Sequence, residues 1–339
     1  MGEKLRIAGI SVEPRKKVAK KIKIGSLYDN SPLEIPIILI NGRESGPILC
    51  LNSGMHGNEL TGIEIVRRAA LEIDPNELSG AVVAIPGCNP LAYVFGVHHI
   101  WDNPWLSFPG NPWGSWDKRL VYFLFNNIFS KTNYILDFHS GNNEVFERYI
   151  YVVDTSETYK KVGRLNEELA RAFGTGLPVL RELVKVKQPL LAYYAGMEGI
   201  PVITPEIGGG QTVWEEDVKR GVKGIENVMK YLKMIEGKPE PSEQIFISQI
   251  QTIWATHGGF LVPEVSPLRI PCKVSKGQVI ARITDLLGNE VDVIKSELDG
   301  VLYLARLSRA VKTGDWLYEL GSGTTTFPPK PMVSEEVYT

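Results

Sequence analysis

Cysteine is scarce in this sequence, and its three residues, Cys50, Cys88 and Cys272, stand far apart. An isolated and odd-numbered set forms no disulfide framework and no paired CxxC metal motif. A disulfide-stabilised secreted scaffold is therefore excluded, and a reducing cytoplasm is the predicted location. The first residues, MGEKLRIAGISVEPRKK, also lack the apolar segment of a secretory signal.

Charge of one sign and long apolar runs are lacking as well. The formal net charge is -2, so no strong basic field would attract a nucleic acid. No apolar run approaches the ~20 residues that a membrane-spanning helix needs. The 339 residues are too many for one compact core. They suit one large domain and a small one, with neither a nucleic acid nor a membrane as partner.

Short apolar runs alternate with helical patterns through the first 240 residues. Five runs predict buried strands, at residues 47–54, 81–87, 133–141, 149–154 and 199–209. Three helices are predicted between or after them, at about 58–74, 156–173 and 213–236. This alternation predicts an α/β fold with a mixed, twisted sheet and helices on both faces. In such sheets functional side chains gather at the carboxyl ends of strands.

The composition changes near residue 237, where the Pro- and charge-rich connector GKPEPSE begins. Short β-like runs with turn glycines follow, so a small all-β domain is predicted over 241–321, after a first domain over 1–240. The order of these runs resembles the barrel-sandwich fold of lipoyl and biotinyl domains. Those carrier domains need a lysine at the central hairpin, and the hairpin TDLLGNE has none. Residues 322–339 are predicted to form a flexible tail.

The stretch NSGMHGNELTG places His56 and Glu59 three residues apart, where a strand pattern passes into a helical one. Across a tight turn the two side chains can point the same way. A second histidine, His139, ends a predicted strand in LDFHSG, and Asp137 shares its face of that strand. Two histidines, one carboxylate and one open position form a ligand set of hydrolytic zinc sites. The alternative is that His56 and Glu59 only occupy a surface turn or a helix cap.

Several short motifs occur in an order that resembles the succinylglutamate desuccinylase/aspartoacylase family, which has a zinc-carboxypeptidase-like fold. They are IPIILINGRESGPILCLNSGMHGNELTGIEIVRRA, GCNPLA, FPG, LDFHSG and TPEIGGG. The resemblance implies one zinc ion per chain, bound by His56, Glu59 and His139. It also implies that Glu206 is the catalytic carboxylate and that the substrate is an N-acyl amino acid or a related amide.

The position of Glu206 fits this role. It ends a predicted strand between Pro205 and three glycines, a loop that lets a substrate approach closely. A carboxylate there can accept a proton from water and give it to a leaving amine. The alternative for Glu206 is a surface loop charge.

The sequence departs from the family where a substrate would be held. The NPLA motif makes Asn89 a candidate substrate contact, and shortly after it His98 stands where the family carries an arginine. His98 is therefore a candidate donor to an oxyanion. Trp105 and Leu106 stand where an Asn–Arg pair would hold a substrate carboxylate, and neither replaces a guanidinium. Recognition of a substrate through its α-carboxylate is therefore disfavoured.

Four tryptophans crowd the loop WDNPWLSFPGNPWGSW. They predict an aromatic wall for apolar, aromatic or cationic substrate groups, with Trp101 and Trp105 as candidate contacts. The alternative is that they pack a long loop onto the domain. Arg148 is a further candidate contact, for an anionic group, and its alternative is a solvated surface position.

The sequence supports two functions of different classes. The first is a zinc-dependent hydrolase that cleaves the amide bond of a small N-acyl substrate, with Glu206 as general base and acid. The second is a metal-binding protein without turnover, which the replaced Asn and Arg positions favour. A homo-oligomer is left open.

Overall fold

The computed structural model describes residues 2–185, 187, 189–240 and 242–326. The strands are β1 Leu5–Ile7, β2 Ile10–Val12, β3 Lys16–Ser26, β4 Pro32–Asn41, β5 Glu44–Ser53, β6 Ser79–Pro86, β7 Tyr134–Phe138, β8 Val145–Thr155, β9 Val179–Val184, β10 Val202–Gly209, β11 Gln244–Trp254, β12 Gly259–Pro263, β13 Cys272–Val274, β14 Val279–Thr284, β15 Glu290–Lys295, β16 Gly300–Arg306, β17 Ala310–Val311 and β18 Trp316–Thr326. The helices are α1 Leu60–Glu72, α2 Pro90–Phe95, α3 Trp116–Asn127, α4 Ser156–Thr158, α5 Arg164–Phe173, α6 Leu191–Met197 and α7 Glu215–Tyr231, and a π-helical turn, Tyr159–Gly163, joins α4 to α5.

One twelve-stranded sheet organises the described residues. Its order is β13-β16-β18-β11-β9-β8-β10-β7-β5-β6-β4-β3. Strands β6, β5, β7 and β10 run parallel, whereas β8 runs antiparallel to β10. The carboxyl ends of β5 and β7 therefore meet beside the second half of β10. A mixed α/β sheet followed by an all-β region confirms the predicted fold class.

The two faces of this sheet carry separate apolar cores, because the central strands are covered on both sides. Leu49 and Leu51 of β5 pack in the core that contains α1, α5 and α7, whereas Cys50 between them packs in the core with α3 and α6. Full burial of a leucine contributes roughly 1.5–3 kcal/mol. Continuous apolar runs in β5, β6 and β7 follow from this double coverage.

The C-terminal strands join the main sheet and close part of it into a ring. Strand β16 pairs with β18 and also with β8, so that β8, β9, β11, β18 and β16 form a closed circuit. We call this circuit the five-stranded ring. Its inner side chains include Val145, Tyr149, Leu180, Tyr303 and Leu304. The division of the chain at residue 240 stays a prediction, since strands from both sides of it build the ring.

The predicted flexible tail is wrong at its start. Residues 322–326 complete β18 and pair with the first half of β11. The rest of the predicted tail lies outside the described residues. Within the part of the chain that the structure describes, no helix combines the length and the apolar character that crossing a membrane requires.

Candidate active site

The structure brings the three expected metal ligands together. One ligand atom from each of His56, Glu59 and His139 lies within 4.8 Å of the others, and all three residues are buried. The Nδ1 atom of His56 is 2.7 Å from Glu59 Oε1, and that of His139 is 3.0 Å from Glu59 Oε2. The two Nδ1 atoms are 3.2 Å apart. Residues from two distant chain segments therefore converge on one point.

A glycine-rich turn carries His56 and Glu59 from β5 into α1. Gly54 has φ +70, a backbone conformation that residues with a Cβ atom rarely adopt. A Cβ at Gly57 would lie 2.0 Å from the carbonyl carbon of Ala92, so only glycine lets α2 pack against the turn. Helix α1 begins after Glu59, which is its N-cap residue but makes no capping bond with its side chain. The Glu59 carboxylate is thus free to face the histidines.

Each histidine of the triad is oriented from its other ring nitrogen. His139 donates from Nε2 to Asp137 Oδ2 at 3.3 Å, and Asn52 in turn donates to Asp137 Oδ1 at 2.7 Å. His56 donates from Nε2 to Asn103 Oδ1 at 3.0 Å. Such partners fix the tautomer and the ring orientation of metal ligands. Asp137 was expected from the alternation along its strand, whereas nothing in the local sequence marks Asn103.

The charges of the triad favour a cation at this point. Burial disfavours the charged form of His139, but Glu59 and Asp137 outweigh it and hold the pKa of His139 well above its ordinary value. Burial alone would raise the pKa of Glu59, yet His56 and His139 hold it well below its ordinary value. The buried carboxylate therefore stabilises positive charge among the three side chains.

Glu206 lies beside the triad because of the strand order. His139 N donates to Pro205 O and Ile207 N donates to His139 O, both at 3.0 Å, so His139 and Glu206 form a parallel bridge. Their side chains share one face of the sheet. Burial, opposed by His139 and reinforced by Glu59, raises the pKa of Glu206 to about 8. Its carboxyl group can therefore hold or release a proton near neutral pH.

His98 also reaches the triad. Its ring stacks on that of His56, with centroids 3.5 Å apart and an interplanar angle of 16°. Its Nε2 atom is 3.4 Å from Glu59 Oε1, and its Nδ1 atom is 3.0 Å from that of His99. The side chain is 34% exposed, so the imidazole is partly accessible from solvent.

The aromatic loop contributes to both the site and the core. Trp105 lies edge-on to His139 at 6.3 Å between centroids and also packs on a core cluster. Trp101 is 59% exposed and lines a cavity of about 690 Å³. The other lining residues are mostly apolar and include Leu27, Leu33, Leu91, Phe95 and Trp116. The segment predicted as loop ends in a helix, since α3 begins at Trp116.

Asn89 and Arg148 are turned to contacts within the chain. Asn89 is fully buried, caps α2 by accepting from Ala92 N, and donates to Met55 O. Arg148 is only 4% exposed and donates to Asp217 at 2.7 Å and to Ile270 O at 2.7 Å. The expected solvated or substrate-facing position of Arg148 is therefore wrong, because its guanidinium joins three parts of the fold.

The sequence interpretation also missed Glu147 of β8. Glu147 as a whole is 8% exposed, and its carboxyl group forms a hydrogen bond with that of Glu206. Its sequence context, GNNEVFE, gives no local sign of this contact, because the partner comes from a strand about sixty residues later.

Comparison with known proteins gives one family. The model of the succinylglutamate desuccinylase/aspartoacylase catalytic domain matches residues 45–232. An N-alpha-acetyl-L-2,4-diaminobutyric acid deacetylase from Halomonas elongata is 26% identical over 294 residues, which make up 83% of this chain and 83% of the relative.

Solved structures share the fold at lower identity. The product-bound ectoine utilization protein EutE (DoeB) from Ruegeria pomeroyi has a TM-score of 0.76 and 18% identity, covering 91% of this chain and 94% of that one. A succinylglutamate desuccinylase/aspartoacylase from Rhodobacter sphaeroides has a TM-score of 0.77 and 20% identity, covering 92% and 98%. The matched family model spans more than half of the chain and includes the triad and Glu206. The chain belongs to the succinylglutamate desuccinylase/aspartoacylase family.

Proposed function

We propose that this protein is a zinc-dependent hydrolase that cleaves the amide bond of a small N-acyl substrate. The family and the deacetylase relative support amide hydrolysis. The observation that carries the proposal is the convergence of His56, Glu59 and His139 on one point, with Glu206 beside them. Among the described residues, this is the one group of histidine and acidic side chains whose ligand atoms lie close enough together to hold a metal ion.

The donor set fits a zinc ion. Two imidazole nitrogens and one carboxylate, all buried, are ligands that catalytic zinc sites use, and they leave a position open. When bound, zinc supplies Lewis acidity: it polarises a carbonyl group and lowers the pKa of water. Asp137 and Asn103 hold the histidine rings so that both Nδ1 atoms face the ion's place.

Glu206 is the general base and acid of the proposed reaction. Its carboxylate accepts the proton of the attacking water and then gives it to the nitrogen of the leaving amine. A pKa of about 8 suits both steps near neutral pH. His98, which is partly exposed beside Glu59, donates a hydrogen bond to the oxygen that becomes negative during attack.

The surroundings favour a substrate with an apolar or aromatic group. Trp105 stands next to His139, and the apolar cavity beside Trp101 lies within the size range of small-molecule sites, roughly 300–1,000 Å³. Trp116 of this cavity donates to Asn89, which donates to Met55 O next to His56. The cavity wall is thus tied to the turn that carries His56 and Glu59.

The first prediction concerns Glu206→Gln. The zinc-loaded variant should keep one zinc per chain, while its hydrolysis falls by roughly 10²- to 10⁴-fold, the usual contribution of general acid–base catalysis. The substrates are N-acetyl, N-hexanoyl and N-benzoyl amines with and without an α-carboxylate, and N-alpha-acetyl-2,4-diaminobutyric acid, on which the relative is named to act. Longer or aromatic acyl groups should be preferred.

Glu144→Gln is the matched control, because Glu144 is exposed and pairs with Arg306. Unchanged turnover in the Glu206 variant would refute the assigned role. The rival function, a metal-binding protein without turnover, is favoured by Trp105 and Leu106 at the family's Asn–Arg positions. It would prevail if the wild-type protein bound zinc stoichiometrically and hydrolysed none of these compounds.

A further inference from the structure

Glu147 is a buried carboxyl group that the proposed chemistry does not yet use. It lies on β8, opposite Gly208 of β10 on one side and Leu304 of β16 on the other. The residue is buried, and its side chain makes a hydrogen bond with Glu206. An ionisable group that is buried in this way needs a specific partner for its charged form, or else it must be neutral.

The strand register brings the two carboxyl groups together. Glu206 is opposite Tyr149 in the ladder between β10 and β8, and Glu147 lies two residues before Tyr149 on the same face. Diagonal neighbours of this kind are within reach of long side chains. Because β10 lies between β7 and β8, Glu206 stands between His139 and Glu147.

Two carboxyl groups that share a hydrogen bond must hold a proton between them, since carboxylates only accept. Their surroundings decide which one is neutral. Glu206 faces the imidazoles of the triad, whereas Glu147 lies on the ring face of β8 with Val145 and Tyr149. Glu206 is bridged to His139, whose imidazole stabilises a carboxylate, whereas the apolar side chains around Glu147 disfavour its charged form. Burial also raises the pKa of Glu147. The proton therefore belongs to Glu147, and Glu206 is the acceptor.

We propose that Glu147 is a positioning residue for Glu206: as a neutral acid it donates a hydrogen bond to one Glu206 oxygen and directs the other oxygen toward the triad. This inference rests on the proposed function and adds the group that orients its base. It also gives the C-terminal region a part in the chemistry, because β16 covers Glu147.

The test compares two substitutions in the zinc-loaded, full-length protein. Glu147→Gln keeps an N–H donor and nearly the same volume, whereas Glu147→Leu removes the donor and suits neighbouring Val145 and Leu304. The Leu variant should lose kcat by roughly 10- to 100-fold, as for other partners that orient functional groups, and the Gln variant should keep most of it. KM and zinc content should be unchanged in both. Equal kcat in the two variants would overturn the proposal.

Glu319→Gln is the matched control. Glu319 is another carboxyl group of the five-stranded ring, but its partners are Tyr303 and Thr252. Burial raises its pKa as well, and its replacement should leave kcat at the wild-type value. A kcat loss in this variant equal to that of Glu147→Leu would point to general damage of the ring and overturn a specific role for Glu147.

Infrared difference spectroscopy supplies a readout independent of turnover. The zinc-loaded protein at neutral pH should show the carbonyl stretch of a protonated carboxyl group that is lost in both Glu147 variants and kept in Glu319→Gln. If no band depends on Glu147, the residue is not the neutral donor and the proposal fails. A wild-type protein that hydrolyses none of the substrates would refute the proposed function, and this band would still decide whether Glu147 donates to Glu206.

Discussion

The two histidines of the triad are oriented in the same way. Each histidine of the triad uses Nε2 for a hydrogen bond with an oxygen acceptor, and each turns Nδ1 toward Glu59. For His139 the acceptor is a carboxylate on its own strand. For His56 it is the amide of Asn103, which comes from the divergent aromatic loop. That loop is therefore part of the candidate metal centre as well as a candidate substrate wall.

Asn103→Ala should weaken zinc binding by roughly 10- to 100-fold, because His56 loses the acceptor that orients its ring. Asn111→Ala is a close control on the same loop. Both asparagines accept from a backbone N–H two residues later, at 3.0 Å and 2.9 Å. Of the two, Asn103 is the one that contacts His56, a proposed metal ligand. Competition with a zinc-binding indicator measures the affinity. Equal affinities of the two variants would show that this hydrogen bond does not hold His56.

At the scale of elements, β8 joins the candidate active site to the rest of the fold. Alternate residues of this strand face opposite sides: Glu147 and Tyr149 point to the ring, whereas Arg148 points to α7. Arg148 binds Asp217 of α7 and the carbonyl groups of Leu268 and Ile270. One guanidinium thus fixes β8, a helix and the C-terminal region relative to one another.

Arg148→Ala should destabilise the protein by about 3–5 kcal/mol, because it leaves the fully buried Asp217 without its cationic partner. Arg164→Ala provides the comparison. Arg164 is 68% exposed and pairs with Glu168 one helical turn away, an interaction worth at most about 1 kcal/mol. Urea denaturation at constant pH gives both free energies of unfolding. Similar small losses in the two variants would mean that Arg148 is not a structural anchor.

At the scale of the whole molecule, the five-stranded ring is built from strands of both predicted domains. Removal of residues 241–339 would delete β11, β16 and β18 and uncover the inner faces of β8 and β9. Tyr149, Leu180 and the neutral acid proposed at Glu147 would then meet water.

The fragment 1–240 should therefore fail to form a cooperative fold, while the full chain unfolds in one transition. Circular dichroism on heating and size-exclusion chromatography test both statements. A monomeric fragment that melts cooperatively and binds zinc would contradict this expectation and support a domain boundary at 240. In that case the C-terminal strands would pack on a domain that folds without them.

Much of the fold could be predicted because the burial of an element determines the local pattern of its apolar residues. The apolar runs of β5, β6 and β7 predicted strands, since strands covered on both faces are apolar throughout. Other elements were missed where the apolar pattern is weak. Strand β3 lies at the edge of the sheet, and its many lysines interrupt the apolar pattern. Helix α3 follows directly on the tryptophan-rich loop and begins with the last of its tryptophans.

The sequence alone determined the chemical inventory: a His-x-x-Glu turn, a histidine at a strand end and a carboxylate before three glycines, all local patterns read within one element. Tertiary structure decided the partners. Asn103 on His56, Glu147 on Glu206 and the burial of Arg148 each depend on which distant strand or loop lies alongside. Strand register and loop packing set those contacts, and they are properties of the assembled sheet that no short segment of sequence records.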